Sequence, residues 1–183
     1  MTAVNGDPHE VGRRVRRLRQ ERGISLSELA RRAGVGKATL SGLETGTRNP
    51  TLDTLWAITA QLGVPIAAVL GPPDDHVTMR GAAVEALLLE LFEDAGVTYE
   101  LYRMRVPPGA TQTSPAHHEG VTEHITVFTG TLSAGPLDAP LLAGPGGYLT
   151  WRSDVPHGYA AVGEEEVLAS LLIRYPAATS RPS

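Results

Sequence analysis

Apolar positions in the first third of the chain recur at helical spacing. Val11, Val15 and Leu18 follow i, i+4, i+7, arginines fill the other faces, and Gly23-Ile24 marks the exit. Ser25 with Glu28 three residues later reads as a capping box, which starts a second helix over 26–32. Gly34 suits the left-handed cap that ends it. A short turn through Gly34-Val35-Gly36 leads to a third helix over 37–44, stopped by Thr45-Gly46. Leu52, Leu55, Trp56, Ile58 and Leu62 give residues 51–62 one apolar face, a fourth helix. Residues 65–70 give a short fifth.

The period then changes. Gly71-Pro72-Pro73-Asp74-Asp75 forbids helix continuation and reads as a hinge. Beyond it, residues 97–106 alternate apolar and polar, and 123–128, 148–151 and 167–175 are further extended runs. Gly/Pro turns separate them, the pattern of a sandwich or barrel. Residues 82–91 have a helical composition, but Glu93-Asp94-Ala95-Gly96 before an evident strand points to a hairpin, so a strand is expected. The expected fold class is an α + β two-domain chain, an all-α five-helix unit followed by an all-β barrel. The expected divisions are a disordered tail at 1–8, a helical domain at 9–71, a linker at 72–80, a barrel at 81–176 and a tail at 177–183.

Charge sharpens this division. The formal net charge of the 183-residue chain is −4, which argues weakly against a polyanionic partner. Residues 1–70, however, hold ten Arg/Lys against six acids, a net +4, and residues 71–183 hold six against fourteen, a net −8. The basic half is the candidate for nucleic acid. The chain has no cysteine, which excludes a disulfide framework, a Cys-type zinc site and a thiol nucleophile. Apolar runs such as Ala86-Leu87-Leu88-Leu89 are far short of the ~20 residues of a membrane span. The polar first ten residues lack an apolar signal core, so a soluble cytoplasmic chain is expected.

Two helices joined by a three-residue turn that opens on Gly make a helix-turn-helix. Leu29-Ala30, Gly34-Val35, Leu40-Ser41, Leu43-Glu44, Gly46, Pro50 and Leu52 stand at spacings that closely resemble the XRE (Cro/C1-type) repressors. The resemblance implies that the third helix enters the major groove of an operator, with Lys37, Ala38 and Gly42 at the base-reading positions. Lys37 can donate to guanine, Ala38 can touch a thymine methyl, and Gly42 reads nothing. Ser27, Thr39, Ser41 and Arg48 complete the expected DNA-binding set, with Ser27, Thr39 and Arg48 placed for phosphates. The resemblance also implies a structural pair between Arg19 and Glu44.

The second half carries Pro108-Gly109, Ala116-His117-His118, Glu123 and Gly130, then Gly147 to Pro156-His157. These stretches resemble the two motifs of the cupins, double-sheet jelly-roll barrels. The family's metal ligands are two histidines and a glutamate of the first motif and a histidine of the second. Here the first histidine position is Ala116, which leaves His118, Glu123 and His157 as the tentative metal ligands. Two His and one carboxylate suit iron, nickel, zinc or manganese, and can form a facial triad with open positions. Strand alternation turns His117 and His124 outward unless a bulge intervenes. Ile125 and Val127 share the face of Glu123 and would floor a ligand pocket with His118, Glu123 and His157. A metal-free pocket for an organic effector would use the same residues. Together the halves imply a homodimeric transcriptional regulator that binds double-stranded DNA and whose cupin senses a small molecule or metal. The alternative is an iron-dependent enzyme of the helix-turn-helix–cupin layout of phosphonate epoxidase.

Overall fold

The computed structural model describes residues 8–70 and 78–177. Residues 1–7 of the expected tail at 1–8, 72–77 of the expected linker at 72–80 and 178–183 of the expected tail at 177–183 lie outside the described residues, as does residue 71. Helices α1 (Pro8–Glu21), α2 (Leu26–Arg32), α3 (Lys37–Glu44), α4 (Leu52–Leu62) and α5 (Ala67–Leu70) come first. Ser25 caps α2 by accepting from Glu28 N at 3.2 Å. The reciprocal half of the expected capping box is replaced: the Glu28 carboxylate instead takes Arg31 and Arg32 at 2.8 and 2.7 Å. Val11, Val15, Leu29, Leu40, Leu43, Leu52 and Leu55 fill the helical core. Gly12 lets α1 lie against α3, since a Cβ there would collide with the Leu43 carbonyl oxygen. Arg19 makes a bidentate bond to Glu44, at 2.6 and 2.7 Å, and donates to Ile24 O at 2.9 Å.

Ten strands follow among the described residues: β1 (Thr78–Arg80), β2 (Glu85–Asp94), β3 (Val97–Val106), β4 (Thr111–Ser114), β5 (Thr122–Thr129), β6 (Thr131–Pro136), β7 (Leu141–Ala143), β8 (Tyr148–Arg152), β9 (His157–Val162) and β10 (Val167–Tyr175). Two antiparallel sheets, β1-β2-β3-β10-β5-β8 and β4-β9-β6-β7, form the double-sheet barrel of a cupin. Residues 85–94 are a strand despite their helical composition, because a tight Ala95-Gly96 turn (φ 48° and 77°) pairs them with β3. The end of the expected linker, 78–80, is itself a strand paired with β2.

Strand alternation sets the interior. Val167, Ala169, Leu171, Ile173 and Tyr175 of β10 face inward, as do Glu123, Ile125 and Val127 of β5. The barrel's interior is continuous with the helical core. Polar links join the two halves. Gln112 Nε2 donates to Asp53 Oδ1 at 2.9 Å, while its Oε1 accepts from Ala83 N and Val84 N. Ala67 N donates to Glu100 Oε1 at 2.6 Å, and the Tyr102 and Tyr175 hydroxyls donate to Glu100 Oε2. Burial pushes the Glu100 carboxyl up, opposed by these bonds. No helix among the described residues is long and apolar enough to cross a membrane.

Candidate functional site

The helical half presents α3 at its surface. Lys37 and Ala38 are exposed at its first turn, Thr39, Ser41 and Gly42 are half-buried, and Ser27 of α2 is exposed nearby in sequence. The chain after α3 folds back on it. The Thr45 and Thr47 hydroxyls donate to Ser41 O and Gly42 O, and Arg48 N also donates to Gly42 O. The aliphatic stem of Arg48 thereby lies over Gly42, and a Cβ there would stand only 3.0 Å from Arg48 Cγ and Cδ. The missing side chain of Gly42 thus seats an arginine beside α3.

The arginines divide by partner. Arg13 and Arg14 pair with Glu10, Arg17 with Glu21, and Arg31 and Arg32 with Glu28. Among the described residues, Arg16, Arg22, Lys37 and Arg48 have no acidic partner, and Arg22 bonds only the Leu18 carbonyl. These four retain undivided positive charge.

The second cluster lies inside the barrel. His117, Glu123 and His157 are buried, and one ligand atom from each lies within 4.8 Å of the others. Glu123 Oε1 is 3.0 Å from His117 Nε2 and 3.2 Å from His157 Nε2, and Oε2 accepts from the Tyr159 hydroxyl. Since a carbonyl only accepts, His157 Nδ1 donates to Val155 O at 2.8 Å. That bond fixes the ring and directs Nε2 inward, where it is buried and out of hydrogen-bond alignment. Burial opposes charge on Glu123, but His157 and His117 outweigh it and hold the carboxyl well below its ordinary range. Burial likewise opposes charge on His157, and Glu123 overcomes it, so the imidazole is raised.

The expected metal set is therefore corrected at one position. His118 does not join Glu123 and His157; His117 does. Strand alternation does not apply at this point, because residues 115–121 are irregular, opening at Pro115. His117 N is pinned to Ser153 O at 2.8 Å, which turns its side chain into the barrel. His118 turns the other way, stacks on Tyr175 with ring centroids 5.5 Å apart, and lines a cleft of about 610 Å³ with Gly63, Pro65 and Thr98. Burial and the neighbouring His117 lower its imidazole pKa. Ile125 and Val127 are fully buried on the face of Glu123. His124 faces outward beside Thr122, Tyr148 and Thr150, as alternation requires. Of the aromatic side chains, Trp151, Tyr102 and Tyr159 are inside and Tyr148 is outside.

Two participants stand outside the expected site set, although Tyr159 is among the aromatic side chains that could wall the pocket. Tyr159 completes the carboxylate's hydrogen bonding. Trp56, read as packing from its helical spacing, sets the edge of its ring against His117 at 5.8 Å. A side chain of the helical half thus forms part of the wall around the barrel cluster.

A helix-turn-helix (HTH_3) family profile matches residues 15–69. The HTH-type transcriptional regulator SutR of Escherichia coli is 33% identical over 165 residues, which cover 88% of this chain and 93% of SutR. The chain belongs to the XRE-type helix-turn-helix family of transcriptional regulators. This XRE regulator is also similar to SinR of Bacillus subtilis, at 34% identity over 97 residues, 51% of this chain and 86% of SinR. Its whole fold matches the crystal structure of an HTH_3 family transcriptional regulator from Vibrio cholerae. The TM-score is 0.77 at 28% identity, over 93% of this chain and 97% of that one. As a member of the family, it is a DNA-binding transcriptional regulator, and its second half is the double-sheet barrel described above.

Proposed function

We propose that this XRE–cupin chain is a one-component sensor. Residues 9–71 bind an operator as a homodimer, and residues 81–176 hold a divalent transition metal or small effector that changes operator affinity. Lys37 and Ala38 would meet base edges; Ser27, Thr39, Ser41 and Arg48, seated over Gly42, would hold the backbone. His117, Glu123 and His157 would hold the metal. The observation that carries the reading is their convergence within 4.8 Å in the interior, beside Trp56 of α4.

The residues fit a metal. One anionic oxygen and two imidazole nitrogens suit iron, nickel, zinc or manganese, and the Val155 carbonyl already orients one imidazole. Bound there, the ion would supply positive charge and Lewis acidity. Glu123 and Tyr159 would keep the cluster in register, and the docked α4 would feel a shift of His117. An effector regulates only if it binds the two DNA-affinity states unequally.

The test pairs elemental analysis of untagged protein with operator binding followed by anisotropy, with and without added Fe²⁺, Ni²⁺, Zn²⁺ or Mn²⁺. A metal-dependent change in affinity that is lost in Glu123→Ala supports the reading. Unchanged affinity with every ion and with metal-free protein removes the metal as effector. Two histidines and one carboxylate also match the donor set of iron oxygenases. Oxygen consumption by iron-loaded protein, without any effect on DNA binding, would favour that second reading.

A further inference from the structure

The interior around the triad holds more hydrogen-bonding capacity than the chain itself uses. Trp151 lies directly across from Glu123 in the β8–β5 register, facing inward, and its ring centroid is 6.0 Å from that of His157. Ser153 continues the same face two residues on, fully buried, and its carbonyl holds His117 N. Trp56 stands against His117 from the helical side. The Trp56 and Trp151 indole nitrogens and the Ser153 hydroxyl are buried and, among the described residues, have no hydrogen-bond partner. Buried polar groups are seldom left unpaired, and three of them on residues that flank one cluster are what a shared partner would satisfy. Each can donate, and an indole N–H can do nothing else.

We propose that the site takes, beside its metal, a small oxyanion bearing a carboxylate or phosphate group, whose oxygens accept from Trp151, Ser153 and Trp56. The proposal rests on the metal reading above, which supplies the charge. A divalent ion against the single Glu123 carboxylate leaves one net positive charge, which an anion neutralises. A buried anion needs donors as well as a counter-charge, and these three provide them. Trp151 and Ser153 belong to the barrel and Trp56 to α4, so the ligand bridges the sensing half to the DNA-binding half. Its loss would release α4 from one of its points of attachment.

The chain's two tryptophans, Trp56 and Trp151, both report on this site. Full-length protein is loaded with Co²⁺ and titrated with acetate and, separately, inorganic phosphate, against chloride at matched ionic strength. Visible absorption reads the metal and tryptophan emission reads the cradle. The expected result is a saturable change in both signals with at least one anion. Ser153→Ala and Trp151→Phe should each weaken the anion by about tenfold or more. Co²⁺ affinity should move by no more than about threefold in either variant. Trp56→Phe should weaken the anion similarly and leave only the Trp151 emission responding. Anion affinity equal to wild type in Ser153→Ala and Trp151→Phe overturns the proposal, as does no saturable response to either anion. If Co²⁺ does not bind, the metal reading fails, and the same titrations on metal-free protein decide this one. Binding that Ser153→Ala weakens keeps the donor cradle, and no binding in that form ends it.

Discussion

Lys37 and Arg48 stand exposed on the helical half, while Glu123 and His157 in the barrel half are fully buried. The two regions put opposite physics to use. On the helices, unpaired cations act at a distance through water, so their effect is additive and screened by salt. In the barrel, one carboxylate is shared by two imidazoles and a phenol, so each group's state depends on the others. Removing a surface cation should change affinity and leave the fold alone. Removing a barrel ligand should abolish a function and disturb what is packed around it. Trp56 and Asp53, both on α4, are where the two regimes meet.

The widest separation is expected between neighbouring histidines. His117→Ala removes one of the three proposed metal ligands and should cost about a thousandfold or more in Zn²⁺ or Co²⁺ affinity. His118→Ala alters only the cleft outside the barrel and should leave that affinity within about threefold. Competition against a chromogenic chelator measures both. Equal losses in the two variants would return His118 to the ligand set and break the distinction between barrel interior and outer cleft.

This pair also marks where the chain's own pattern stops being informative. The bounds of α2 and α3 were readable because caps and apolar spacing are local, and both helices begin and end where those signals stand. The inward set of β5, Glu123 with Ile125 and Val127, followed from alternation in a regular strand. His117 did not, because Pro115 had already ended the strand and a long-range bond to Ser153 decides the side chain's direction. Trp56 was legible as buried but not as part of the site, since periodicity gives a face and not the surface it docks on. Residues 85–94 show the reverse: helical composition yielded to pairing with β3 through a favourable turn.

Within the helical half, burial changes the outcome again. Arg19 and Glu44 are nearly enclosed, with side-chain exposures of 11% and 6%, and their pair is bidentate. Arg19→Ala strands the Glu44 carboxylate and should cost about 3 kcal/mol of stability. Urea unfolding should show a lower midpoint at unchanged slope. A loss no larger than that of an exposed pair such as Arg17–Glu21 would mean that water screens Arg19 as well. Lys37→Ala should do the opposite, costing about 1–3 kcal/mol in specific DNA affinity with an unaltered unfolding midpoint. Intact affinity for the operator would take Lys37 out of base reading.

Arg48→Ala gives the smallest and most specific effect. Among the described residues the guanidinium has no acidic partner, and its stem rests on Gly42, so truncation removes one cation from beside α3 without opening the core. If it meets a phosphate, the dependence of log affinity on log salt should become shallower by roughly one unit, equally for operator and random DNA. The change in affinity itself should shrink as salt rises, because fewer counterions are released on binding. If Arg48 instead reads a base, the loss should fall on the operator alone and persist at high salt. The slope, more than the affinity, therefore tells whether the glycine in α3 serves to seat a phosphate anchor, and whether the surface half of the molecule acts by charge as the barrel half acts by enclosure.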